Sequence, residues 1–207
     1  MQDLDAAALD VLLRDAPRKT YPKNSIVITA GDVSDGLYLI ESGRVRVLIS
    51  DDEGREVILT TLGPGDYFGE MALIDNAERS ATIATVEQTC VRLVSKQTFQ
   101  QALGNHPNLA FEMLVGLVKR LREADRKIES LALLDVYGRL ARMLLQIAKE
   151  KDGRLVIENK PTHQDLANMI GASREMVTRL LRDLTRGNYI SVEPDCFVLN
   201  EKLPNRW

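Results

Sequence analysis

Leu114, Leu117, Leu121, Ala124, Ile128 and Leu131 follow one another at intervals of 3, 4, 3, 4 and 3 residues. This alternation keeps apolar side chains on one stripe of an α-helix, the a/d pattern of a coiled-coil seam. Charged residues occupy the other faces: Lys119, Arg120, Arg122, Glu123, Asp125, Arg126, Lys127 and Glu129. A helix over residues 108–134, rising ~1.5 Å per residue, would be a rod of roughly 40 Å. Such a rod is too polar for the centre of a core, so it divides the chain into a part before it and a part after it. A helix packed along its own domain is one reading. The seam favours another, a parallel two-stranded coiled coil in a symmetric dimer.

The part before the rod opens with an amphipathic stretch at about residues 5–15 and then changes character until about Ser95. Short β-rich runs follow: "SIVITA", "LYLIESG", "RVRVLIS", "EVILTTLG", "ATIATVE" and "CVRLVS". Gly31, Gly36, Gly43, Gly54, Gly63, Gly65 and Gly69 punctuate them. Evenly spaced short strands with glycine turns predict an antiparallel sandwich or roll. Aromatic residues are only 5% of the chain, so Val, Ile and Leu must fill the inner faces.

The part after the rod reads as helices and a hairpin. Asp135 is placed to cap a helix from Val136 to about Lys149, which "KDG" stops. Leu155 to Ile157 reads as a short strand. In "PTHQDLANMIGASREMVTRLLRDLTRGNYI", Thr162 and Asp165 form a capping-box pair. Leu166, Ala167 and Ile170 supply an inner face before Gly171 breaks the helix. Ser173 caps the next helix, whose buried stripe is Val177, Leu180, Leu181 and Leu184, and Gly187 closes it. Tyr189–Glu193 and Cys196–Leu199 complete a hairpin. Two short helices joined by a glycine turn and followed by a hairpin make a winged helix-turn-helix. The second helix carries Arg174, Arg179, Arg182 and Arg186 against two acids. Arg174 and Glu175 lie in its first turn, where a recognition helix meets base edges in a major groove, so the expectation is DNA binding.

Charge agrees with two jobs on one chain. Residues 136–207 carry 12 Lys/Arg against 9 Asp/Glu, whereas residues 1–135 carry 15 against 21. No apolar run approaches the ~20 residues of a membrane span, and "MQDLDAAALD" lacks the regions of a signal peptide. A cytoplasmic protein without a membrane partner is expected. The two cysteines, Cys90 and Cys196, cannot build a disulfide framework or a cysteine-held iron–sulfur cluster. A metal-dependent jelly-roll enzyme would need clustered histidines and carboxylates. His106 and His163 are the only histidines and fall in different segments, so no catalytic or metal residues are assigned and no enzyme is expected. Neither histidine lies in the β-rich part, which also disfavours a haem sensor.

The stretch "FGEMALIDNAERSAT", Phe68 to Thr82, sets Glu70 and Arg79 among apolar residues. Unpaired buried charge is costly, and a ligand needing both charges would account for them. A helical turn starting at Gly69–Glu70 offers backbone N–H groups to a phosphate. Gly69 has no Cβ to block the approach, Arg79 can grip a phosphate oxygen, and Ser80 can add a hydroxyl donor. Glu70 cannot serve a phosphate, but it can accept a hydrogen bond from a hydroxyl and help hold Arg79.

Over nearly its full length the chain resembles the Crp/Fnr family of bacterial transcription regulators, within it the cyclic AMP receptor (catabolite activator) type. "FGEMALIDNAERSAT" resembles the phosphate-binding cassette, "SLALLDVYGRLARMLL" the hinge, and "SREMVTRLLRDL" the recognition helix, with Arg174, Glu175 and Arg179 in its R-E-x-x-x-R pattern. The resemblance implies an α+β fold in three parts. Residues 1–107 form a cyclic-nucleotide-binding β-roll (a jelly roll), residues 108–135 a long dimerisation helix and hinge, and residues 136–207 a winged helix-turn-helix. It implies a homodimeric, allosteric regulator with Gly69, Glu70, Arg79, Ser80, Arg120, Ala124 and Asp125 around a cyclic nucleotide, foremost cyclic AMP. The implied DNA contacts are His163, Ser173, Arg174, Glu175, Thr178, Arg179 and Arg182 on a palindromic operator, with RNA polymerase as a further partner. No other cofactor is implied.

One departure stands out. Where the cyclic AMP receptor type carries a Thr-Ser pair that reads adenine, this chain has Ala124 and Asp125. A carboxylate only accepts hydrogen bonds, so Asp125 could meet adenine's amine or the paired N–H donors of guanine. A regulator answering cyclic GMP or cyclic di-GMP, or none of these nucleotides, is the alternative.

Overall fold

The computed structural model describes residues 12–33, 36–151, 153–200 and 203, so most of the expected helix at 5–15 lies outside the described residues. The chain forms two compact units, residues 1–123 and 124–207.

The first unit is an antiparallel roll of two four-stranded sheets. Strands β1 (Arg18–Tyr21), β8 (Thr89–Ser95), β3 (Gly36–Ser42) and β6 (Tyr67–Phe68) make one sheet in that order. Strands β2 (Ile26–Ile28), β7 (Thr82–Thr85), β4 (Val45–Ser50) and β5 (Glu56–Leu62) make the other. The run Gly36 to Ile40 is buried throughout, because successive β3 side chains point to opposite faces and each face has its own core. Tyr38 and Ile40 join Ile28, Val45, Leu62, Phe68, Ile83 and Val91 between the sheets. Leu37 and Leu39 face outward onto Leu12, Phe99, Ala102, Leu109 and Met113. Phe99 and Ala102 belong to helix α2 (Lys96–Asn105), and Leu109 and Met113 to the start of helix α3 (Pro107–Leu133).

Strands β1 and β6 are absent from the sequence reading. "RKTY" is mostly exposed and Tyr67–Phe68 is only two residues long, so neither shows a periodic signal. Helix α3 runs unbroken from Pro107 to Leu133, and only Leu109 and Met113 on it are buried. Leu114, Val118, Leu121, Ile128 and Leu131 remain 48–64% exposed. Of the seam residues expected from the sequence, Leu117 is half-buried, while Val118 takes a place in the exposed stripe.

The second unit holds the end of α3, helix α4 (Val136–Ile147), helix α5 (His163–Ile170) and helix α6 (Arg174–Arg186). A four-stranded antiparallel sheet completes it in the order β11 (Ile190–Val192), β12 (Phe197–Leu199), β10 (Arg154–Ile157), β9 (Lys149–Lys151). Tyr137, Leu140 and Leu144 of α4 share a core with Leu166, Ile170, Val177, Leu181, Leu184, Ile190 and Phe197. The caps match the sequence reading. Asp135 accepts from the Gly138 N–H at 2.7 Å, Ser173 from the Met176 N–H at 3.2 Å, and Thr162 and Asp165 complete a capping box. Gly171 ends α5 at φ +62°, a left-handed conformation that glycine adopts without a Cβ penalty.

Two boundaries differ. Helix α4 stops at Ile147, and Lys149–Lys151 pairs as a strand with Arg154–Val156; the hairpin's ladder outweighs the helix propensity of "KEK". Gly187 does close α6, but at φ −78°, and the left-handed residue is Asn188 at φ +59°. Arg139 ties the unit together, donating to the carbonyls of Leu134 at 3.1 Å, Ile170 at 2.9 Å and Gly171 at 3.4 Å.

Candidate nucleotide and nucleic-acid sites

The cassette begins where β6 ends. Gly69 has φ +87°, and a Cβ there would collide with the Arg79 guanidinium. Glycine is required at this position by backbone conformation and by Arg79, rather than only by clearance for a ligand. Glu70 precedes the short helix α1 (Met71–Ile74), whose Leu73 and Ile74 N–H groups bond the Glu70 carbonyl at 3.0 Å.

Glu70 and Arg79 are 1% and 6% exposed, so the sequence's buried charges are buried in fact. The ion pair of Glu70 is with Arg120, while the charge of Arg79 also acts on it. Arg79 donates from Nη1 to the Gly69 carbonyl at 2.7 Å and from Nη2 to the Gly36 carbonyl at 2.8 Å. Its guanidinium lies 5.9 Å from the centre of the Tyr38 ring, which stacks on Phe68 at 5.0 Å. Its backbone is fixed as well, donating to Asp32 O at 2.9 Å and accepting from Gly31 at 2.8 Å.

The direct partner of Glu70 is Arg120 of α3, whose Nη1 reaches Oε1 at 2.5 Å. Arg120 Nη2 donates to the Tyr67 carbonyl at 2.7 Å, and the guanidinium stands 4.9 Å from the Tyr67 ring centre. Burial raises the Glu70 carboxyl above the ordinary carboxylate range, opposed by the charge of Arg120 and more weakly by Arg79. Ser80 is exposed at the same end, its Oγ 3.8 Å from the Met71 sulfur. The roll thus gathers Gly69, Glu70, Arg79, Ser80 and Arg120. A cavity of about 250 Å³ opens beside Arg120, lined by Thr60, Thr61, Tyr67, Gly116, Lys119 and Glu123 among others.

Ala124 and Asp125 are exposed residues of α3 and fall in the second unit. Tyr67, Tyr38 and Gly116 were missed by sequence reasoning. The available signals were a tyrosine directly before "FGE" and a glycine inside an otherwise unbroken helical run.

On α6, Arg174, Glu175, Thr178, Arg179, Arg182 and Arg186 are all exposed, opposite the buried Val177, Leu180, Leu181 and Leu184. Ser173 is exposed at the N-cap. Among the described residues Arg174, Arg179 and Arg186 make no ion pair, and Arg182 has only a 3.8 Å approach to Asp183. His163, at the start of α5, joins this face through Nδ1 and the Thr178 hydroxyl at 2.8 Å. An arginine-rich helix face with so little internal pairing suits a polyanion. Among the described residues no group of three or more His, Cys, Asp or Glu could hold a metal ion, and no helix is long and apolar enough to cross a membrane.

Comparison with known proteins places both parts of the chain in described domain families. Residues 18–106 match the cyclic nucleotide-binding domain family, and residues 138–202 the Crp-like helix-turn-helix domain family. The cAMP-activated global transcriptional regulator CRP of Pasteurella multocida is 36% identical over 186 residues, covering 86% of this chain and 88% of its own. The cAMP-activated regulator Vfr of Pseudomonas aeruginosa is 34% identical over 198 residues, covering 92% of each. The solved structure of CLP, a c-di-GMP responsive global regulator of Xanthomonas campestris, matches with a TM-score of 0.85. That match has 30% identity and covers 95% of this chain and 100% of that one. These relatives are regulators rather than enzymes. With the roll and its buried Glu70 preceding a winged helix-turn-helix, the chain belongs to the Crp/Fnr family of DNA-binding transcription regulators under cyclic-nucleotide control.

Proposed function

We propose that the chain is a cytoplasmic homodimer that binds a palindromic operator, and that cyclic AMP sets its affinity for that DNA. The observation that carries the ligand reading is the burial of Glu70 and Arg79 at one end of the roll beside the exposed hydroxyl of Ser80. Arg79 and Ser80 are assigned to the phosphate, and Glu70, oriented by Arg120, to the ribose hydroxyl. The similarity to cAMP-activated regulators supports this nucleotide. The exposed apolar stripe of α3 supports the dimer, since a contiguous apolar stripe calls for a partner and the a/d spacing suits a second copy. RNA polymerase is the remaining partner proposed.

Asp125 favours a second reading. Its carboxylate can take the two N–H donors of a guanine edge, which would make cyclic GMP or cyclic di-GMP the effector. Either ligand acts only through its differential affinity for two forms of the dimer.

Calorimetric titration of the full chain with cyclic AMP, cyclic GMP and cyclic di-GMP tests the reading, alongside operator binding with each. The expected result is saturable binding of cyclic AMP and a tighter complex with DNA in its presence. Binding of a guanine nucleotide alone would select the second reading. A folded protein that binds none of the three would overturn both.

A further inference from the structure

Gly116 stands in the interior of α3, where glycine is a poor helix former. The packing supplies a reason for it. A Cβ at this position would lie 2.6 Å from the Tyr67 Oη and 3.7 Å from its Cζ. The phenol therefore rests in a notch that only glycine leaves open. The Tyr67 hydroxyl is buried without a hydrogen-bond partner among the described residues, so packing rather than a polar contact fixes the ring's depth. The ring in turn carries Arg120, which is one turn beyond Gly116 on the same face of α3. Arg120 lies over that ring at 4.9 Å, donates to the Tyr67 carbonyl at 2.7 Å, and reaches Glu70 at 2.5 Å.

We propose that Gly116 is a positioning residue for the nucleotide site: its missing side chain sets the depth of Tyr67, and Tyr67 aims Arg120 at the Glu70 carboxylate. This rests on the reading of Glu70 as the acceptor for the ribose hydroxyl. A methyl group at 116 displaces either the phenol or the helix, since the two cannot coexist 2.6 Å apart. Arg120 then shifts from the geometry in which it orients Glu70. The contact is specific to the phenolic oxygen, and this makes the proposal separable from a general packing role.

The test compares wild type, Gly116→Ala, the double variant Gly116→Ala/Tyr67→Phe, and Glu70→Gln. Each is titrated calorimetrically with cyclic AMP, cyclic GMP and cyclic di-GMP and melted in parallel. Gly116→Ala should weaken the nucleotide that wild type binds about tenfold, the scale of one methyl forced into a packed contact. The double variant should return to within about twofold of wild type, because a ring without its hydroxyl clears the methyl and still offers its face to Arg120. Wild-type affinity in Gly116→Ala, with binding lost in Glu70→Gln, overturns this inference and leaves the site reading standing. Unchanged affinity in Glu70→Gln, or no binding of any of the three by wild type, overturns both. If Gly116→Ala does not fold, a folded, nucleotide-binding double variant supports the proposal. A double variant that is no better than the single one overturns it.

Discussion

Arg120→Leu removes the partner of a carboxylate that has almost no access to water. The Glu70 side chain is 2% exposed and that of Arg120 32%. Stripping one member from a buried pair costs about 3–5 kcal/mol; because water shares the field of Arg120, the low end applies, ~3 kcal/mol. In a chain of this size that is roughly a 6–12 °C drop in Tm. The loss must also depend on pH. Burial already lifts the Glu70 pKa above its ordinary value, with Arg120 the main opposing charge. A folded-state pKa above the unfolded one means that stability is full below the window between the two values. It is lost as pH rises through that window. Deleting Arg120 extends the window upward. The penalty is therefore greatest at the alkaline end and shrinks on acidification, with a limiting slope of about 1.4 kcal/mol per pH unit. Urea or thermal melts of wild type, Arg120→Leu and Arg120→Leu/Glu70→Gln between about pH 5 and 8 measure this directly. The neutral amide should recover most of the loss at high pH. A stability difference that stays constant with pH, or a double variant as unstable as the single one, would refute the reasoning.

Arg79→Leu leaves the Gly36 and Gly69 carbonyls without their donor and removes the proposed phosphate contact, so nucleotide affinity should fall by at least ~2 kcal/mol in calorimetry. Leu121 is 62% exposed, so Leu121→Asp should fold normally yet sediment as a monomer; a dimer at micromolar concentration would place the interface elsewhere. Arg179→Ala should cost ~1–3 kcal/mol on a palindromic operator and relax preference at one base pair. Arg186→Ala should instead weaken all sequences alike and flatten the salt dependence by about one unit. Equal losses on operator and random DNA for Arg179→Ala would remove its base-reading role.

What the amino-acid order determined by itself is local. The capping box at Thr162 and Asp165, the caps at Asp135 and Ser173 and the stop at Gly171 rest on hydrogen bonds spanning three or four residues. The order of roll, rod and winged helix follows from a change in apolar period from 2 to 3.6. The arginine face of α6 was legible for the same reason, since helical spacing alone gathers those residues on one side. Tertiary structure decided whatever joins distant segments. No spacing rule pairs Glu70 with an arginine 50 residues on, or gives Arg79 a carbonyl 43 residues back. Strands β1 and β6 exist only because β8 and β3 present ladders for them. The notch at Gly116 has meaning only once a tyrosine from another element fills it. Buried charge is where the two levels part: sequence can show that Glu70 and Arg79 lie among apolar neighbours, but the groups that satisfy them arrive through folding.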